Sequence, residues 1–155
     1  MIRIAFALAA FAAAAASAAA SAGAGPEVPF KATDTFAAVP VGGSGAAVET
    51  ADTGSGNATH LGRFTVTAGE TVDFGTLTVT DGFFTLTAAN GDTVSGTYAG
   101  HILPGLTGYL VSGPITGGTG RFADATGTIT FHGTFDPVTF TGSDVITGSI
   151  SAVGD

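Results

Sequence analysis

Glycine recurs in this chain where a flat β-strand can least use it. Gly62, Gly75, Gly96, Gly133, Gly142 and Gly148 lie inside runs that alternate apolar residues with Thr or Ser. A glycine at such a position weakens the strand and leaves a gap on its packed face, so it marks a bend, a bulge or a close approach of other atoms. Coiling of that kind closes a sheet into a barrel. Closure also removes the exposed strand edges that a Thr- and Val-rich chain with few charges would otherwise offer to other chains.

From residue 46 onward almost every segment is rich in Thr, Val, Phe or Ile and is punctuated by Gly, Asn or Asp. No stretch beyond the N-terminal leader carries helical periodicity. Strands are expected over 30–36, 46–51, 58–67, 71–80, 83–88, 93–103, 108–116, 127–135 and 138–152, with 39–45 as a flexible connector rich in Gly and Pro. Asn90-Gly91 predicts a type I′ hairpin, because both central positions of that turn need positive φ. Asp136-Pro137 predicts a second tight reversal. Consecutive strands on short turns, with no helices to carry parallel crossovers, describe an antiparallel meander. The expected fold class is all-β: a single antiparallel up-and-down barrel of about eight strands.

Residues 1–24 read as a secretory signal peptide: Arg3 supplies the positive start, 4–16 is an unbroken apolar run, and Ala16-Ser17-Ala18, Ala20-Ser21-Ala22 and Ala22-Gly23-Ala24 offer small-residue cleavage patterns. The apolar run is shorter than the ~20 residues a bilayer span needs, so the expectation is a secreted or periplasmic domain over 25–155 with no stable membrane insertion after cleavage. The chain has no cysteine, so stability must come from burial and hydrogen bonding alone. Charged residues make up only 10% of it, against about a quarter in ordinary domains, which leaves Thr and Ser to face solvent. Removal of the leader leaves Lys31, Arg63 and Arg121 against twelve acidic residues. Such a surface repels phosphate backbones and anionic lipid, and no basic patch offsets this, so no nucleic-acid partner is expected. Nothing in the sequence sets an oligomeric state.

The densest local signal is Gly117-Gly118-Thr119-Gly120-Arg121-Phe122-Ala123-Asp124-Ala125-Thr126-Gly127, followed by the alternating run 128–135. Gly118-x-Gly120-x-x-Ala123 fits a loose dinucleotide fingerprint, yet that fingerprint must open a full helix, and here a Thr-rich strand follows after one turn at most. A calcium-binding nonapeptide repeat would need Asp where Phe122 stands and would have to recur in tandem. The remaining assignment is structural: Gly118 and Gly120 turn the chain, Phe122 plugs one end of the barrel, and Arg121 meets a carboxylate or backbone carbonyls.

This block resembles the penultimate block of the allene oxide cyclase and dirigent-like barrels, in particular their exported bacterial relatives. Gly56-Asn57-Ala58-Thr59-His60-Leu61-Gly62-Arg63-Phe64-Thr65 is similar to a second block of those relatives. The resemblance implies an eight-stranded antiparallel barrel whose interior holds an apolar ligand. Plant allene oxide cyclases are isomerases and dirigent proteins steer radical coupling; this chain matches the catalytic residues of neither position by position, so the resemblance carries no activity.

Strand parity supplies the site candidates. In 58–67 one face carries His60, Gly62, Phe64 and Val66, and in 138–152 one face carries Val138, Phe140, Gly142, Asp144, Ile146, Gly148 and Ile150. A carboxylate on an apolar face needs a partner, and His60, Arg63 or Arg121 are the available ones. His60 and Asp144 are therefore the candidate proton-handling pair; alternatively they form a structural bond that fixes register, or Asp144 sits at a bulge facing water. Phe64, Tyr98, Phe131 and Phe140 are the candidate ligand-binding residues. His101 and His132 share faces with Ser and Thr, unlike His60, so no metal site is expected, and no cofactor. Three functions follow: a binder of a small apolar molecule, an isomerase or cyclase acting on a lipid-derived or phenolic substrate, or a structural protein with a filled barrel. Cavity volume separates them, with roughly 300 Å³ or more expected of a ligand pocket.

Overall fold

The computed structural model describes residues 25–151. The expected leader over 1–24, and Ala152 at the end of the last expected strand, lie outside the described residues. Eight strands follow in order: β1 (Glu27–Ser44), β2 (Ala47–Ala58), β3 (Gly62–Asp73), β4 (Thr78–Ala88), β5 (Thr93–Ile102), β6 (Gly108–Gly118), β7 (Gly127–Asp136) and β8 (Thr141–Ser151), with one 3-10 turn, Gly120–Phe122, between β6 and β7. Each strand pairs antiparallel with the next, and β1 pairs with β8 from Glu27–Ser151 to Ala37–Thr141, closing the barrel. The expected single antiparallel eight-stranded barrel is the fold.

Three local expectations are corrected. The 39–45 stretch is not a connector: β1 runs through it, paired with β2 as far as Ser44–Ala47, and Pro40 falls at a register shift between Pro40 and Gly42, where a missing N–H breaks no ladder. The segment 71–80 is not one strand. Gly69 and Asp81-Gly82 sit at register shifts inside β3 and β4, while the chain reverses between them over 74–77. The Asn90-Gly91 turn is not type I′, because only Gly91 has positive φ (92°). Gly91 N–H donates to the Ala88 carbonyl (2.9 Å) and Ala88 N–H to the Asp92 carbonyl (2.8 Å), which is a type I turn followed by a left-handed glycine.

The reversals at 73–78 and 136–141 are built alike. Asp73 Oδ1 accepts N–H bonds from Gly75 and Thr76 (2.7 and 3.1 Å), and Asp136 Oδ1 accepts them from Val138 and Thr139 (2.8 and 3.2 Å). Leu77 and Phe140 then take positive φ (56° and 54°), and the hydroxyls of Thr76 and Thr78, and of Thr139 and Thr141, meet at 2.8 and 2.7 Å. The Asp-x-x-Thr-apolar-Thr pattern thus makes an Asx-type turn.

The two ends differ. Toward the β2–β3, β4–β5 and β6–β7 connections the interior is solid: Phe30, Leu86, Val94, Ile129 and Ile150 are fully buried. Phe122 on the 3-10 turn is also fully buried and closes that end. Arg121 clamps the plug, its Nε donating to Asp92 Oδ2 (3.2 Å) and its Nη2 to the His60 carbonyl (3.0 Å), with the guanidinium 5.0 Å from the Phe122 ring centroid. Gly120 has φ 59°, and a Cβ there would strike the Asp92 carboxylate; one on Gly118 would strike the Thr93 carbonyl.

Candidate functional site

The opposite half of the barrel is hollow. A cavity of about 80 Å³, counted as room for the centres of water molecules, opens toward the β1–β2, β3–β4, β5–β6 and β7–β8 connections. This is below the roughly 300 Å³ expected of a ligand pocket, so only a compact molecule fits it. Its walls are mainly apolar, from Val66, Val72, Val79, Val111, Phe131 and Phe135, and its mouth is edged by Phe74, Leu106 and Phe140.

Six ionisable side chains line the same space, with the Thr50 hydroxyl on β2 beside them. Asp144 on β8, Asp34 on β1, Asp52 on β2 and Glu70 on β3 form an arc over four consecutive strands, and Tyr98 on β5 and Tyr109 on β6 stand on the opposite wall. Strand parity puts the carboxyls inside: Asp34 follows Phe30 and Ala32 on the buried face of β1, and Asp144 precedes Ile146 on that of β8. Asp34 and Asp144 are register partners, whereas Asp52 faces Ala68 with Glu70 as its diagonal neighbour on β3.

Glycines set where the tyrosines reach. Tyr109 lies opposite Gly133 on β7, and Tyr98 opposite Gly82 on β4. A Cβ on either glycine would fall inside the facing phenol ring. With nothing in the way, each ring passes over the intervening strand and donates its hydroxyl two strands away: Tyr109 to Asp144 Oδ1 (2.7 Å) on β8, Tyr98 to Glu70 Oε2 (2.5 Å) on β3. Phe36 over Gly142, Phe64 over Gly56 and Phe84 over Gly96 repeat the pairing without a polar tip.

The result is two carboxyl pairs, each holding one tyrosine hydroxyl. Burial, reinforced by the adjacent Asp144 charge, raises Asp34 to about 7. Burial, reinforced by Glu70, raises Asp52 to about 8. Burial also raises Asp144, against the opposing pull of the Tyr109 hydrogen bond. The phenols of Tyr98 and Tyr109 are pushed further above their ordinary value by burial and by the carboxylates, so both stay donors. Asp34 and Asp52 therefore retain protons near neutral pH, where an ordinary carboxyl is ionised. Asp34 and Asp52 are 6% and 8% exposed, and one oxygen of each, Oδ1, is buried with no hydrogen-bond partner.

The sequence candidates divide. Asp144, Tyr98, Phe131 and Phe140 line the cavity. Phe64 does not: it is packed in the core, 3% exposed. His60 is a correction. The chain reverses at Thr59-His60-Leu61, where His60 takes φ 68°, stands exposed and places Nε2 3.1 Å from the Pro29 carbonyl. Alternation therefore cannot be carried from β3 back to residue 60, and His60 and Asp144 do not form a pair. His101 and His132 are exposed, and among the described residues no three His, Cys, Asp or Glu side chains converge to hold a metal ion. Asp34, Asp52, Glu70 and Tyr109 are the site residues that sequence reasoning missed. Asp34 was within its reach, since it shares parity with Phe30, Ala32 and Phe36. No family model, curated protein or solved structure matches this chain.

Proposed function

We propose that this protein is an exported small-molecule-binding barrel that takes a compact, largely apolar ligand into its open half. The observation that carries this is the combination of a filled, plugged end with an apolar cavity at the other end that has a few convergent polar groups on its walls, the usual constitution of a ligand site. A structural protein would gain nothing by burying three carboxyls and half-burying a fourth among apolar side chains, because each costs stability unless paired or protonated. The resemblance of 117–135 and 56–65 to allene oxide cyclase and dirigent-like barrels remains part of this proposal, and an eight-stranded meander is the topology it requires.

The test is ligand-observed NMR with small ring compounds such as toluene and benzyl alcohol. Binding is expected for the native chain and is expected to be lost in Ala68→Leu, which fills the cavity wall and keeps the fold. Equal signals from both proteins, or none from the native chain, would remove the proposal.

A second proposal is isomerase or cyclase chemistry on a lipid-derived or phenolic substrate, now with the carboxyl pairs in place of His60. What favours it is that Asp34 and Asp52, raised to about 7 and about 8, sit where a general acid or base works best near neutral pH. Turnover that survives in a folded Asp34→Asn, Asp52→Asn double variant would exclude it.

A further inference from the structure

We propose that the ligand of this cavity is an organic cation, a small protonated amine with an apolar body, whose ammonium group sits between Asp34 and Asp52. The inference rests on the binding proposal above and specifies its chemistry. Four carboxyl side chains line the cavity, and no Lys, Arg or His does. Buried charge of one sign calls for a partner.

Two carboxyl oxygens at this site lack hydrogen-bond donors. The tyrosine hydroxyls are spent on Asp144 and Glu70. Asp34 Oδ1 and Asp52 Oδ1, on cavity-lining residues that are more than nine-tenths buried, have none, and the Thr50 hydroxyl on β2 is likewise without a partner. An ammonium carries up to three N–H donors and no acceptor, and satisfies both carboxyl oxygens with charge-assisted bonds. The two pairs feel each other across the space, since the charge of Glu70 acts on Asp144 and that of Asp144 on Asp52, so one cation there is attracted by both. A bare metal ion is the poorer fit, because no three of these groups converge on a metal-sized centre. The remaining wall suits the rest of an amine: Phe131 and Tyr98 lie 5.5 Å apart, centroid to centroid, and aromatic faces attract cations as well as apolar carbon.

Benzylamine, benzyl alcohol and benzoate present the same ring with a positive, a neutral and a negative head, and their affinities for the full chain at pH 7.5 can be compared by titration calorimetry or ligand-observed NMR. Benzylamine is expected to bind at least about tenfold more tightly than benzyl alcohol, and benzoate not detectably. In Asp34→Asn and Asp52→Asn, which keep side-chain shape and remove repulsion, that preference is expected to vanish while benzyl alcohol still binds. Equal affinity for amine and alcohol in the native chain would overturn the cation proposal and leave the binding proposal standing. Silence from all three compounds would overturn both. A preference unchanged in both Asn variants, each shown folded by its melting transition, would also overturn it.

Discussion

At the scale of single residues, the interior carboxyls set the pH dependence of stability. Asp34 and Asp52 have folded values raised to about 7 and about 8 from an ordinary 3.8. Between those limits the folded state binds more protons than the unfolded one, so stability falls as pH rises from about 4 to about 8 and levels off above. Asp92 and Asp136 are held low, chiefly by hydrogen bonds from Asn90 and from the Val138 N–H. Their contribution is present above the unfolded value and is lost only as pH falls through the folded one. The barrel should therefore be most stable near pH 4–5, and unfolding free energies from urea titrations between pH 4 and 8.5 should decline by on the order of several kcal/mol. Asp34→Asn with Asp52→Asn should flatten that decline and raise the midpoint at pH 8; a curve that instead rises with pH would contradict buried carboxyl pairs. Tyr109→Phe strips Asp144 of its donor and should cost about 1–3 kcal/mol in the same assay.

At the scale of elements, paired strands succeed here because aromatic rings occupy the space that glycines on the neighbouring strand leave empty. Gly133→Ala puts a Cβ into the Tyr109 ring and 2.5 Å from Asp144 Oδ1. It should cost about 1–3 kcal/mol as an overpacking change and break the Tyr109–Asp144 bond. Gly62→Ala, where the φ is 70° but nothing lies within 4 Å of the new atom, should cost about 1–2 kcal/mol through backbone strain alone. Denaturation separates the two, and only Gly133→Ala should also alter ligand binding. The paired turns make a further comparison: Asp73→Ala and Asp136→Ala each remove an acceptor of two backbone N–H bonds, and comparable melting-temperature losses are expected. Alternation marked most strand cores, and in-strand glycines marked the coiling. Register was not legible, because bulges such as those at Gly69 and Asp81 resemble turns in composition. Without register, Gly133 could not be matched to Tyr109, nor Gly82 to Tyr98.

At the scale of the whole molecule, the barrel divides into a support and a vessel. The plugged end, with Phe122 under the Arg121–Asp92 clamp, fixes the circumference from which the open end extends. Phe122→Ala should cost about 3–5 kcal/mol and loosen the cavity only indirectly. Asp144 was found from sequence because its strand is unbroken, and His60 was misplaced because the turn before Gly62 looks like a continuation of β3. The arc of four carboxyls was hidden by a simple fact: its members lie far apart in sequence, on strands that closure alone brings together. Carboxyl-carbon NMR of Asp34, Asp52 and Asp144 across pH 3 to 9 tests this arrangement most directly. Titration of Asp34 near 7 and Asp52 near 8 is the predicted result, and midpoints for all three near 4 would mean that these side chains face water and that the barrel has no such site.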